Sequence, residues 1–183
     1  MWINLKCQKF YWLGTYEPAV QEVLKKIIQQ RWICYDLGAH LGYFSLLMAR
    51  LTGKGRKVFA FEPNPSNFSL LSEHIHLNNL GDVIEAVPLA ISSRSGRALK
   101  GIDSFTGKLV SSSRFVELVS LDDFVYKMGH PEPNFIKIDV KGLEGEVLSD
   151  AEKILTQAQP FILCEVHNPQ IAVEVFGKLQ KVE

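Results

Sequence analysis

Little is in excess in this chain, and what it lacks narrows the field. Twenty acidic side chains balance twenty basic ones, for a formal net charge of +0. No global field therefore draws it to nucleic acid or to an anionic membrane surface. Cysteine is scarce: Cys7, Cys34 and Cys164 are odd in number, scattered and without metal-ligand spacing. A disulfide framework is thereby excluded, and a reducing, cytoplasmic setting fits, with Cys34 and Cys164 packed as small hydrophobes in buried strands. No apolar run approaches the roughly 20 residues of a membrane span. The opening MWINLKCQKFYWLG has neither the apolar stretch nor the small-residue cleavage site of a signal peptide. Internal repeats are absent too. What is there is ordinary: 183 residues, 46% hydrophobic and 22% charged, enough for one domain with a proper core. The one basic crowd, Lys54, Arg56 and Lys57, reads as a solvated loop.

Periodicity then supplies the elements. Val20, Val23, Leu24, Ile27 and Ile28 share a helix face. Trp32–Tyr35 is a predicted strand, Gly42–Leu51 a helix, and Val58–Phe61 a second strand. Asn64 reads as an N-cap with Pro65 at the first helical position, the helix running to Asn78 and ended by Gly81. Val83–Leu89 is a third strand, weakened by Pro88, and Ser92–Ser113 a loop or irregular hairpin. Leu121–Met128 is a short helix and Asn134–Val140 a strand apolar enough to be covered on both faces. Leu143, Val147, Leu148, Ala151, Ile154 and Leu155 form one helical stripe; Phe161–Val166 is a fifth strand, and Asn168-Pro169 caps a last helix. Strands alternating with helices imply a doubly wound, mainly parallel Rossmann-like sheet over 1–183, with 1–31 as a helical and aromatic cover and 92–118 as an irregular insertion.

The chemistry lies at the strand ends. The first turn is Asp36-x-Gly38-x-x-x-Gly42, not the G-x-G-x-x-G that cradles a dinucleotide pyrophosphate. An acid at that point repels phosphate and welcomes a cation. Glu62 stands about twenty residues beyond Gly42, the spacing of a carboxylate that accepts from both ribose hydroxyls. A ligand with a ribose, a cationic end and little phosphate matches S-adenosylmethionine. Asp36 and Gly38 also have plain structural readings, as a helix cap and a turn glycine.

The ordered set of motifs resembles a family. Gly14-Thr15-Tyr16-Glu17, Tyr35-Asp36-Leu37-Gly38-Ala39-His40-Leu41-Gly42, Phe61-Glu62-Pro63-Asn64-Pro65, Ala90-Ile91-Ser92, Leu121-Asp122-Asp123 and Ile136-Lys137-Ile138-Asp139-Val140-Lys141-Gly142-Leu143-Glu144 are similar to those of the FkbM-type S-adenosylmethionine-dependent methyltransferases. The resemblance spans about Gly14 to His167. It implies methyl transfer, usually to a hydroxyl oxygen of a small molecule or sugar, with no nucleic acid or membrane span involved. Carried over, Asp36, Gly38 and Ala39 lie along the methionine portion of the cofactor, with His40 and Gly42 in the same turn. Glu62 holds the ribose beside Pro63 and Asn64, Ala90 and Ile91 lie near the adenine, and Glu17 reaches the amino-acid end. Two positions depart: His40 stands where the family usually has Asn, and Lys141 where it usually has Glu.

An alcohol acceptor asks for a base. Asp139 is the first choice, with Glu165 and His167 on the same rim; Asp139 could equally cap the turn into Gly142. No cluster has convincing metal spacing, and His74, His76 and His130 look peripheral. Lys141 could lower the pKa of Asp139, engage an anionic acceptor, or form an idle ion pair. Trp2, Phe10, Tyr11 and Trp12 either close over the acceptor pocket or cover one end of the sheet. The family's usual closing strand hairpin has no counterpart after the last helix, which leaves the fifth strand as an edge open to a homodimer. Two rivals stand: a binding or scaffold protein of the same fold without transfer, and a nicotinamide-dependent oxidoreductase, disfavoured by the glycine pattern.

Overall fold

The computed structural model describes residues 11, 13–55, 57–102, 109–141, 143–166 and 168–180. Cys7, Arg56, Gly142 and His167, with Trp2, Phe10 and Trp12, lie outside the described residues. In chain order the elements are α1 (Pro18–Ile27), β1 (Cys34–Leu37), α2 (Tyr43–Thr52), β2 (Val58–Phe61), α3 (Pro65–Leu77), β3 (Ile84–Val87), β4 (Ala90–Ile91), β5 (Gly96–Ile102), β6 (Leu109–Val119), β7 (Phe135–Ile138), α4 (Glu144–Ser149), β8 (Phe161–Cys164) and α5 (Pro169–Leu179). Two π-helical segments, Asp123–Lys127 and Ile154–Ala158, complete them.

Five strands make one sheet in the order β3-β2-β1-β7-β8, with every pairing parallel. The order reverses between β1 and β7, and such a switch point opens a crevice beyond the strands' carboxyl ends. Side-chain alternation divides the core between the two faces. Cys34, Val58, Ala60 and Phe135 pack with Leu24, Phe44, Met48, Leu71 and Ile75 of α1–α3. Tyr35, Leu37, Phe59, Phe61, Ile136 and Ile138 pack with Phe124, Val147, Leu148, Ile154 and Val175 on the other side. Tyr35, Phe59, Phe61 and Phe124 meet there with ring centroids 4.9–5.7 Å apart, mostly edge to face, and each such buried ring stabilises by roughly 1.5–3 kcal/mol.

The helix starts follow their local chemistry. Asn64 Oδ1 accepts the N–H groups of Ser66 (2.9 Å) and Asn67 (3.2 Å), and Asn168 Oδ1 that of Ile171 (2.9 Å), each with proline at the first helical position. Other expectations are corrected. The first strand begins at Cys34 and continues through Leu37, because β2 and β7 pair with it that far; Asp36 therefore sits inside the strand rather than after it. Pro88 ends the third strand, and Ala90 and Ile91 join a second sheet, β4-β6-β5. Of the two readings of Ser92–Ser113, loop or irregular hairpin, the structure has the second: an antiparallel ribbon with a register shift between Leu99 and Lys100. The stripe from Leu143 to Leu155 is broken, since the Asp122 carboxylate caps a new turn through Lys153 N and Ile154 N, both at 3.0 Å. Asn79 (φ 53°), not Gly81, reverses the chain after α3. The edge position of β8 is as expected: Phe161 is 55% exposed, stacked on Trp32.

Candidate functional site

The turn after β1 is built around two left-handed glycines. Gly38 (φ +81°) passes so close to β7 that an added Cβ would lie 2.0 Å from the Asp139 carbonyl oxygen; at Gly42 (φ +84°) it would meet Leu71 Cδ1 at 2.4 Å. Only glycine fits the first of these. The N–H groups of Gly38 and Ala39 both donate to Phe61 O, at 3.1 and 2.9 Å. His40 is held left-handed (φ 53°) by donating its N–H to Glu62 Oε2 at 2.8 Å, and burial lowers its ring pKa. His74, taken as peripheral, is fully buried and donates Nδ1–H to Leu41 O at 2.7 Å, bracing the turn from α3.

Glu62, just past β2, is 5% exposed. Its oxygens accept one backbone N–H each, from His40 and Asn64, both at 2.8 Å. Burial pushes its pKa up to about 7, against the pull of hydrogen bonds from Asn64, His40 and Asn67. A carboxylate has about four acceptor positions, so these three donors leave one for a further hydrogen bond.

Asp36 is buried at 1% exposure on the α2 face of the sheet. Ser45 Oγ donates to Oδ2 at 2.6 Å, and Lys137 Nζ lies 3.8 Å from Oδ1, which accepts no hydrogen bond. Burial raises the Asp36 pKa, opposed chiefly by Lys137 and then Ser45. Lys137 stands opposite Asp36 in the β1–β7 register, with Nζ 5.0 Å over the Phe44 ring and 3.5 Å from Asp139 Oδ2. Lys141, left-handed at φ 53°, places Nζ 2.7 Å from Asp139 Oδ1 and 4.0 Å from Glu165 Oε1. Burial pulls its pKa down, yet Asp139, Glu165 and Glu17 together leave it raised. Asp36, Lys137, Asp139, Lys141 and Glu165 thus alternate in sign across three strands.

A cleft lies over this ladder, lined by Tyr11, Tyr16, Gly38, His40, Phe44, Lys137 and Asp139. Tyr11 caps it, with its ring 4.5 Å from Tyr16 and 5.5 Å from Tyr43, and its hydroxyl 3.3 Å from His40 Nδ1. Glu17, left-handed at φ 43°, starts α1, and its charge reaches Lys141. The turn, Glu62 and Asp139 are therefore brought together. Ala90 and Ile91 are buried in β4, Asn64 is occupied as a helix cap, and Glu165 is half exposed at the far end. Sequence reasoning missed Lys137. Its signal was a lysine inside the otherwise apolar Phe135–Ile138, which cannot be buried without an acid on the same face. Among the described residues no three His, Cys, Asp or Glu side chains are grouped to hold a metal, and no helix is long and apolar enough to cross a membrane.

Comparison with known proteins agrees with this geometry. The model of the methyltransferase FkbM domain matches residues 36–179. The hexuronic acid methyltransferase AglP of Haloferax volcanii is 27% identical over 158 residues, covering 80% of this chain and 62% of its own. The methyltransferase sdnD of Sordaria araneosa is 29% identical over 155 residues, covering 64% and 60%. Among solved structures, the FkbM methyltransferase of Methylobacillus flagellatus superposes with a TM-score of 0.68 at 17% identity, over 92% of this chain and 45% of that one. The chain spans about three fifths of the length of the curated relatives it matches.

Proposed function

Because the chain belongs to the methyltransferase FkbM family, we propose that it is an S-adenosylmethionine-dependent O-methyltransferase acting on a hydroxyl of a small molecule or sugar. The observation that carries this reading is the glycine turn closed against two buried acids, Asp36 and Glu62, with a third, Asp139, directly beyond it. The donor set suits the cofactor. Glu62 keeps an acceptor position beyond its three donors for a ribose hydroxyl, and the Glu17 carboxylate offers negative charge to an ammonium end. A pyrophosphate in the same crevice meets repulsion from these acids. When bound, the cofactor would supply an electrophilic methyl group on sulfur, open to in-line attack by an acceptor oxygen, with the neutral thioether leaving on the carbon–sulfur electron pair.

The chain's own residues have three tasks. The turn 38–42 fixes the nucleoside; alignment of this kind can supply roughly 7–11 kcal/mol of a displacement barrier. Tyr11 and Tyr16 shield the cleft from water. Asp139 takes the acceptor's hydroxyl proton as the new carbon–oxygen bond forms. The hexuronic acid methyltransferase among the relatives supports a sugar acceptor. A second reading, nucleoside binding without transfer, is favoured by Lys141, whose ammonium 2.7 Å from Asp139 occupies the base. Incubation with methyl-labelled cofactor and a panel of sugars and small alcohols separates the two. Label in a product extends the first reading; tight cofactor binding with no label in any acceptor supports the second.

A further inference from the structure

We propose that Lys137 is a positioning residue that ties the nucleoside half of the site to the transfer half, its ammonium serving Asp36 and Asp139 at once and setting the distance between them. This role rests on the proposed methyl-transfer reading. Lys137 is the cross-strand neighbour of Asp36 at the point where the sheet order reverses. Asp139 follows two residues later, on the same face of the strand. The ammonium lies 3.8 Å from one carboxylate and 3.5 Å from the other. A lysine committed to one partner closes to about 2.7–2.9 Å, so these lengths describe a charge shared between two.

The outer oxygens are held separately, Asp36 Oδ2 by Ser45 at 2.6 Å and Asp139 Oδ1 by Lys141 at 2.7 Å. Lys137 is 4% exposed and its Nζ lies over Phe44 at the floor of the cleft, so little water reaches it. The charged and titratable groups that face this point are Cys34 and Asp36 on β1, His40 in the turn, Glu62 after β2, Asp139 and Lys141 after β7, and Cys164 and Glu165 at the end of β8. None except Lys137 offers a cation to both acids. Without it, two carboxylates share one dry face, and one of them must take up a proton.

Carboxyl carbon NMR titration of the full chain, assigned with Asp36→Asn and Asp139→Asn, tests this. We expect Lys137→Met to move at least one aspartate midpoint up by one pH unit or more, and Lys137→Arg to restore it. In Lys137→Met the affinity for S-adenosylmethionine at pH 7 should fall at least tenfold and recover by pH 9. If Lys137→Met does not fold, Lys137→Met combined with Asp36→Asn removes the buried charges together, and the Asp139 midpoint should still rise. Unmoved midpoints in either folded variant overturn the role. Failure of the unaltered chain to bind S-adenosylmethionine would strike the proposed function instead, and the titrations would decide Lys137 by themselves.

Discussion

The two ends of the carboxyl rim keep their acids buried by opposite means. At the β2 end, Glu62 is held by neutral N–H groups of His40 and Asn64 and by the Asn67 amide. At the β7 end, Asp139 lies between two ammonium groups, 3.5 and 2.7 Å away. Dipoles stabilise a charge without cancelling it, whereas a lysine cancels it. The nucleoside end therefore keeps a negative field for a cationic ligand and an acceptor position for a hydroxyl. The transfer end is electrically balanced, and its base is restrained until an acceptor competes with Lys141.

The harshest way to break this contrast is Gly38→Ala, because Gly38 is where the two ends touch. Left-handed strain alone costs about 1–3 kcal/mol, and the added carbon meets the Asp139 carbonyl at 2.0 Å. We expect a stability loss beyond about 2 kcal/mol by urea unfolding, together with loss of cofactor binding. Asp139→Asn comes next: turnover should fall by roughly 10²–10⁴-fold, the usual contribution of a positioned base, with cofactor affinity little changed. Full activity in that variant excludes Asp139 as the base.

Glu62→Gln should weaken S-adenosylmethionine roughly tenfold by removing a charge-assisted acceptor pair, and unaltered affinity by calorimetry would remove Glu62 from the ribose site. The pH dependence sharpens the same point. Glu62 titrates near 7 when folded against an ordinary value of 4.5. Affinity should therefore rise as pH increases through about 7. Its contribution to stability runs the other way: the folded state holds the proton more tightly, so the contribution is complete below about 4.5 and lost as pH rises through 7. Opposite slopes in calorimetry and in thermal unfolding check both signs.

The smallest effect belongs to Lys141→Met. Its side chain is 34% exposed against 10% for Asp139, and such a partly solvated ion pair is worth on the order of 1 kcal/mol. Turnover should rise by a few-fold or less as Asp139 is released. A tenfold fall in initial rate would instead make Lys141 a ligand for an anionic acceptor.

What the sequence made legible was local or periodic. Asn64 and Asn168 announce their helices because the capping side chain, the following proline and the apolar stripe all lie within a few residues. The spacing from Gly42 to Glu62 is likewise a property of one β-α-β unit. Burial of charge was not legible, since it depends on partners far along the chain. Asp36 looked like a rim residue until β2 and β7 extended β1 past it. Lys137 looked incidental until Asp36, from a strand about a hundred residues away, came to lie opposite it. His74 looked peripheral because the Leu41 carbonyl it serves belongs to another unit. The serine-rich ribbon of β5 and β6 hid its pairing for a related reason: its partner β4 is two residues long and follows a proline.

Calorimetric titration of the chain at pH 8 with S-adenosylmethionine, and in parallel with a nicotinamide dinucleotide, puts the acid-lined rim to its most direct test. The expected result is saturable binding of the sulfonium nucleoside at one site, lost in Gly38→Ala, and no heat from the dinucleotide. Dinucleotide binding, or an inert response to S-adenosylmethionine by the folded chain, would contradict it.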